Sequence, residues 1–229
     1  MTIIAVSGLM REARIASGPG VRTLAGGTDA ALLRQKLEQA IAEGAQGIIS
    51  IGIAGGVAPS LKSGDSVVGS SVLGGGERFF PDIQWTARII ATLPSAIVGV
   101  VAGVDAVMTT SWAKAILFRA TGAHVVDMES HIVARVAKAH GLPFAVLRTI
   151  SDPAGSTLPP LVATAVTNSG QVDLMRVLSS LLADPRQIPA LIQTARESKA
   201  AFEALLRCRR ALGLRLLGPN GSELAFDMG

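Results

Sequence analysis

At 229 residues with 49% apolar side chains, the chain can bury a full core and reads most simply as one domain over residues 1–229, which excludes a disordered or low-complexity protein. Aromatic residues make up only 3%, with no Tyr, so the interior is expected to consist of Ala, Val, Ile and Leu, as in covered parallel sheets. The net charge of +4 does not mark a nucleic-acid binder: residues 186–218 hold seven of the 21 basic residues and two of the 17 acids, the rest nearly cancel, and no set of base-stacking aromatics accompanies the basic segment.

The first residues, MTIIAVSGLM, lack the basic leader of a signal peptide, and no apolar run approaches about 20 residues, so a cytoplasmic protein is expected. Cys208 stands alone and excludes a disulfide framework. His124, His131 and His140 show no metal-ligand spacing; neither a metal nor a cofactor is expected.

Thr2 to Ser7 reads as an apolar strand that opens into a turn led by Gly8 and carrying Arg11 and Arg14, which could receive an anion. On the turn alone the better reading is a solvated helix start. Pro19-Gly20 and Gly26-Gly27 punctuate a loop, after which Thr28 is expected to cap a helix with Leu32, Leu33, Leu37, Ala40 and Ile41 on one face. Gly47 to Ile51 is a buried strand that runs into a turn, Gly52-Ile53-Ala54-Gly55-Gly56, whose missing side chains would let a ligand approach backbone N–H groups; close packing of chain on chain needs the same residues. Ser66 to Leu73 is the next strand, and residues 74–82 form a loop with Phe79 and Phe80 that suits either a lid or an oligomer contact. Ile97 to Gly103 is a further strand, and Ser111 is expected to cap a helix through Phe118.

The stretch HVVDMESHIVARVAKAHGLPFAVLRTISD, from His124 to Asp152, organises the whole. It reads as strand, carboxylate-bearing turn, helix capped by Ser130 and closed by Gly141, then a second apolar strand from Phe144 to Ile150. A βαβ unit of this kind predicts two parallel strands and brings Glu129 and Asp152 to the carboxyl edge of the sheet, where open α/β sheets bind ligands. Two carboxylates on one rim suit a nucleoside: one grips the vicinal diol, and the other, in a closed site where a carboxyl can hold a proton, protonates a purine N7 before the base leaves. Taken singly, Glu129 at a helix start and Asp152 before Pro153 have plain structural readings.

Beyond Asp152, residues 153–160 read as loop, Asn168-Ser169-Gly170 as a turn, and Asp173 as the cap of a helix reaching Leu182. A basic amphipathic helix follows at about 186–218, with Ile188, Leu191, Ile192, Phe202 and Leu205 at helical spacing and Arg207, Arg209, Arg210 and Arg215 crowded at its far end. That end fits peripheral contact with the inner face of a membrane as well as it fits a solvated scaffold helix. A mean hydropathy of +0.46 in a chain with no spanning segment points to a homodimer.

VVDMES followed by LPF and LRTISD resembles the purine nucleoside phosphorylase and methylthioadenosine/adenosylhomocysteine nucleosidase superfamily, and GIAGGVAPSLKSGDSVVG is similar to its nucleophile-site segment. ARIASGPGV, GGERFFPD, AGVDAVM and LPPL bring the whole chain near the hopanoid-associated nucleoside phosphorylases. The resemblance implies a three-layer α/β/α fold with a central mixed, mostly parallel twisted sheet. It implies that Met128 and Glu129 hold the ribose, that Asp152 of the Ser151-Asp152 pair protonates the base, that Asp127 lies beside them, and that Val107, Met108 and Phe80 adjoin the purine. Gly8, Arg11, Arg14, Gly52, Ile53, Ala54 and Gly55 would line the phosphate or water site. The chain departs from the pattern at Ile53, where the superfamily has a hydroxyl, and at Ser50, where bacterial phosphorylases have arginine. Hydrolytic relatives carry a glutamate in the first loop; gapless alignment puts Ala13 there, with Glu12 one residue away. The expected activity is therefore phosphorolysis of adenosylhopane, a lipid-linked adenosyl compound, with inorganic phosphate. The alternatives are a hydrolytic nucleosidase for 5′-substituted adenosines and a non-catalytic nucleoside-binding protein.

Overall fold

A computed structural model describes residues 2–159, 167, 170, 171, 173 and 188–219. The helix expected from Asp173 to Leu182 lies, apart from Asp173 itself, outside the described residues. The elements are β1 (Thr2–Ser7), α1 (Met10–Ala16), β2 (Val21–Ala25), α2 (Ala30–Ala42), β3 (Ala45–Gly56), β4 (Ser66–Gly74), β5 (Glu77–Phe79), α3 (Ile83–Thr92), β6 (Ile97–Gly103), α4 (Ser111–Thr121), β7 (Val125–Asp127), α5 (Ser130–His140), β8 (Phe144–Asp152) and α6 (Ile188–Ala211).

The eight strands form one mixed sheet with helices around it, the expected α/β class. Its order runs β2-β1-β3-β7-β6-β4-β5, and β8 bridges β3 and β4. The strands β3, β8, β4, β6 and β7 thus close into a ring, from which β1 and β2 extend as a parallel flap. All nine residues of β8 are buried because it has a strand on each side and helices over its faces.

Two expectations are corrected. The strands flanking the central helix do not pair as a parallel couple: β7 runs antiparallel to β3, β8 runs parallel to it, and β3 lies between them. The two still converge because Gly55 pairs with both Val126 and Asp152. The glycine stretch after Ile51 is not a turn either. β3 continues through it, with Gly52, Ile53 and Ala54 in register with Arg148, Thr149 and Ile150, since a strand paired on both sides keeps its ladder even where side chains are absent. The residues expected to be loop on either side of Leu24 carry β2, and residues 74–82 carry β5 in a hairpin with β4.

The caps fall one residue from expectation. Asp29 rather than Thr28 caps α2, its side chain accepting from Leu32 N at 2.9 Å, and Thr110 rather than Ser111 caps α4 through Ala113 N at 3.2 Å. At α5 the cap comes from Asp127, whose Oδ1 accepts from Ser130 N at 2.9 Å and Glu129 N at 3.2 Å.

The final helix stops at Ala211, short of the expected 218. A turn at Leu214–Leu217 follows, in which Arg215, Leu216 and Leu217 have φ of +53° to +54°. This left-handed path costs on the order of 1–2 kcal/mol per residue. It is held by Trp85, fully buried on α3, whose Nε1 donates to Leu216 O at 2.9 Å, and by Arg88, which donates to the carbonyls of Leu217 and Gly218 at 3.3 and 3.0 Å.

Candidate active site

The first turn, the C-terminal half of β3, the β7–α5 junction and the end of β8 enclose a cavity. Its walls carry Glu12, Asp127, Met128, Glu129, Ser151 and Asp152, and its apolar side is made by Ile53, Val104, Ala106, Val107, Met108 and Leu158. Among the expected residues, Gly8, Ala54 and Gly55 line it as well.

Beneath the floor lies Arg148, the lone charge in an otherwise uncharged strand until Asp152, and fully buried. Its Nε is 2.6 Å from Asp127 Oδ2 and its Nη2 is 3.3 Å from Glu129 Oε2. Nη2 also donates to Ser50 Oγ at 2.5 Å and Ser130 Oγ at 3.2 Å; Ser130 Oγ donates its one proton to Asp127 Oδ2 and lies 3.1 Å from Ser50 Oγ, which can donate to it. Ser50, expected only as a missing arginine, is thus a member of the network that holds one arginine from the neighbouring strand.

Glu12 is the third carboxylate around this guanidinium. At the third position of α1 its Oε2 accepts from the helix-capping Leu9 N at 2.5 Å, half of a capping box, while Oε1 crosses to accept from Ile53 N at 2.6 Å. Burial raises its pKa, against the lowering effect of those backbone donors and of Arg148. Burial likewise pushes Glu129 up to about 8, Arg148 opposing the rise and Asp127 and Glu12 adding to it. For Arg148, burial alone would lower the pKa, but Asp127, Glu129 and Glu12 outweigh it and hold the guanidinium above its ordinary value.

The glycines here serve these side chains. A Cβ on Gly8 would sit 2.8 Å from Glu129 Oε1, one on Gly52 would sit 2.7 Å from Glu12 Oε1 and 2.8 Å from Arg148 Nη1, and one on Gly55 would sit 3.2 Å from Asp152 Oδ2. The close approach expected for a ligand is made by the protein's own acids, and the amides of Leu9 and Ile53 are committed to Glu12.

Asp152 ends β8 at an irregularity: Ile150 pairs with Ala54 and Asp152 with Gly55, leaving Ser151 as an extra residue. Ser151 Oγ donates to Asp152 Oδ1 at 2.5 Å, and the fully buried Lys114 of α4 reaches Asp152 Oδ2 at 2.6 Å. His131, the second residue of α5, is notched between Gly74 and Gly103, and its Nε2 lies 3.1 Å from Asp105 Oδ1 on the loop that carries Val107 and Met108.

Gly52 packs against Glu12 and Arg148 without lining the cavity, and three further expected residues stand elsewhere. Arg11 is exposed and lies over the Phe202 ring, 4.1 Å from its centroid; Arg14 is exposed on the next turn of α1. Both leave the cavity because the helical rotation that turns Glu12 inward turns its neighbours out. Phe80 is 70% exposed and borders a separate cavity beside Arg78, Lys138 and Pro143. Conversely, a gapless alignment displaces Glu12 by one residue, and Arg148 and Lys114 carry no expected role. A charged residue inside PFAVLRTISD was a readable signal for Arg148; α4 offers none for Lys114. Among the described residues no His, Cys, Asp and Glu cluster could hold a metal ion, and no helix is long and apolar enough to cross a membrane.

The model of the phosphorylase superfamily matches residues 15–183. The chain belongs to this superfamily. No curated protein matches it. Among solved structures, S-adenosylhomocysteine nucleosidase from Streptococcus pyogenes in complex with 5-methylthiotubericidin is 18% identical with a TM-score of 0.68, covering 95% of this chain and 98% of that one. Futalosine hydrolase of Helicobacter pylori is 15% identical with a TM-score of 0.65, over 93% and 97%. A putative 5′-methylthioadenosine/S-adenosylhomocysteine nucleosidase from Borrelia burgdorferi bound to adenine is 15% identical with a TM-score of 0.67, over 92% and 98%. At these identities the likeness is one of fold, and membership in an enzyme superfamily rests on the family match.

Proposed function

We propose that the chain hydrolyses the N-glycosidic bond of a 5′-substituted adenine nucleoside. The observation that carries this reading is a buried Glu12 carboxylate in the same cavity as Glu129 and Asp152. Glu12 takes a proton from the attacking water, and its raised pKa strengthens it as a base. Glu129, with Met128 beside it, holds the ribose hydroxyls, and Asp152 delivers a proton to purine N7 so that the base leaves neutral. Val107, Met108 and Leu158 form the apolar bed for the purine. The superfamily structures named above, whose ligands include adenine, support an adenine nucleoside as the substrate class.

Hydrolysis is preferred here to the phosphorolysis expected from the sequence, because Arg11 and Arg14 face away from the cavity and the nearby amide donors are taken by Glu12. The lipid-linked substrate adenosylhopane rests on the resemblance of the whole chain to the hopanoid-associated enzymes; the exposed Leu206, Arg207, Arg210 and Leu214 near the end of α6 support contact with a membrane that would hold such a lipid. A homodimer completes the reading, supported by the exposed Trp112 and Ile116 on α4.

The test is turnover of 5′-deoxyadenosine in phosphate-free buffer. Adenine and 5-deoxyribose should appear at the same rate with and without phosphate, and Glu12→Gln should slow the reaction about a hundredfold or more. A requirement for phosphate, with a sugar 1-phosphate as product, would overturn hydrolysis.

A further inference from the structure

Asp152 is asked to give a proton to the purine, yet both of its carboxylate oxygens already accept one. Ser151 Oγ donates to Oδ1 at 2.5 Å, and Lys114 Nζ stands 2.6 Å from Oδ2. An ammonium has three N–H donors and no acceptor, so the second contact has a single direction. Lys114 is fully buried, and Asp152 is 6% exposed. Such a pair is costly to desolvate, and replacing it by apolar residues would usually be neutral or stabilising, so its presence at the reacting edge of the cavity asks for a reason beyond stability.

The remaining contacts of Lys114 narrow that reason. Nζ also lies 2.9 Å from Pro153 O, 3.2 Å from Ser156 O and 3.3 Å from Asp152 O, so the ammonium gathers the whole turn that follows the acid. A charged group from α6 meets that turn: Glu197 Oε1 accepts from Ser156 Oγ at 3.3 Å. Lys114 itself does not line the cavity, whereas Asp152 does. Anything Lys114 does for the reaction it does through Asp152.

We infer that Lys114 supplies the proton of this reaction: its ammonium holds Asp152 as a carboxylate in the free site and passes it the proton that Asp152 hands to purine N7. The inference rests on the nucleosidase reading above. The step balances without a further reagent. Nζ gives a proton to Asp152, Asp152 gives one to N7, and the C1′–N9 bond breaks with its electron pair going to the purine. Water forms the new bond to C1′ and leaves its proton on Glu12; solvent then carries that proton back to restore the Lys114 ammonium. Net, one water and one nucleoside become one neutral base and one pentose. Lys114 is thus a positioning and proton-supplying residue.

Two substrates separate this role from simple scaffolding. 5′-Deoxyadenosine needs N7 protonated before the base departs; 4-nitrophenyl β-D-ribofuranoside does not, because nitrophenolate leaves unaided. The full chain and its Lys114→Met, Lys114→Arg, Asp152→Asn and Lys114→Met/Asp152→Asn variants are assayed with both, the double variant being included because it leaves no unpaired charge if the single one fails to fold. Expected are a loss of about a hundredfold in kcat on 5′-deoxyadenosine for Lys114→Met, with KM little changed, no rescue by arginine, whose guanidinium keeps its protons, and nitrophenyl riboside turnover within about threefold of wild type. The double variant should be no slower on 5′-deoxyadenosine than Asp152→Asn alone. Equal losses on both substrates, or no loss on either, would overturn the role of Lys114 while leaving the nucleosidase standing. A wild-type chain inert on both would overturn the nucleosidase reading and the inference with it.

Discussion

Arg148 Nε lies 2.6 Å from Asp127 Oδ2 under the floor of the cavity, both side chains shut away from solvent. This one guanidinium is the countercharge for three buried carboxylates, Glu12, Asp127 and Glu129. Removing it leaves acids without a partner in a medium that cannot solvate them, and the loss exceeds that of an ordinary core truncation. Arg148→Met is expected to lower the free energy of unfolding by about 3–5 kcal/mol in urea titrations. Arg148→Lys should restore little, since a point charge cannot reach Asp127, Glu129 and the Ser50 hydroxyl together. A loss below about 1 kcal/mol for Arg148→Met would show that the acids are neutral without it.

Stability should fall as pH rises across this cluster. Glu129 has a folded pKa of about 8 against 4.5 as its model value, so between these two values the folded chain binds more protons than the unfolded one. The contribution is fully present below about pH 4.5 and is lost as pH climbs through about 8, with a slope of at most about 1.4 kcal/mol per pH unit. Glu129→Gln removes the titrating group and should flatten the profile over that window. Thermal unfolding followed from pH 5 to 9 in the two proteins checks the sign directly.

His131 occupies a notch that only glycine leaves open. A Cβ on Gly74 would fall 2.3 Å from His131 Cβ, and one on Gly103 would fall 2.4 Å from it. Gly103→Ala should therefore destabilise by about 1–3 kcal/mol, as overpacking does. Combining it with His131→Gly, which removes the Cβ that the added methyl meets, should recover most of that loss, a coupling read from a double-mutant cycle. Additive effects of the two changes would mean that the backbone, not the imidazole, sets the limit.

The end of α6 is half scaffold and half surface. Arg209 is committed, donating to Ala16 O and Ser17 O at 3.0 Å each at the end of α1, whereas Arg207 and Arg210 are exposed near Leu206 and Leu214. Flotation with anionic liposomes should recover the wild-type chain more efficiently than an Arg207→Gln/Arg210→Gln variant, each basic residue contributing roughly 1 kcal/mol near such a surface. Equal recovery would assign this end of the helix to solvent.

The stretch from His124 to Asp152 was legible because its apolar periods and its two acids stand on one short segment. What could not be read there was the pairing of its strands. β7 has three residues, and β3, which separates it from β8, lies about seventy residues earlier in the chain. Glycine was the second obstacle. At Gly52 and Gly55 it marks room for Glu12, Arg148 and Asp152 to approach β3, and the same letters describe a ligand-binding turn equally well. Glu12 is visible in the sequence but out of register by one residue, because a gapless alignment compares positions while the cavity selects whichever side chain the first helical turn aims inward. Lys114 carried no signal at all: its acceptors are a carboxylate and carbonyls from a turn some forty residues later, brought to it only by the fold.

The scarcity of aromatic residues gives the molecule two optical reporters with little background. With no Tyr, its near-ultraviolet emission belongs almost wholly to Trp85 and Trp112, and their surroundings differ as far as they can: Trp85 is fully buried against the Leu214–Leu217 turn, while Trp112 is 74% exposed, two residues before Lys114. In the single chain a collisional quencher in solvent reaches Trp112 and spares Trp85, whereas a dimer formed over α4 protects both. With Trp112 replaced by Phe, the remaining blue-shifted signal becomes a gauge of whether the C-terminal turn is seated on α3. With Trp85 replaced, the red-shifted one reports on the helix whose lysine holds Asp152.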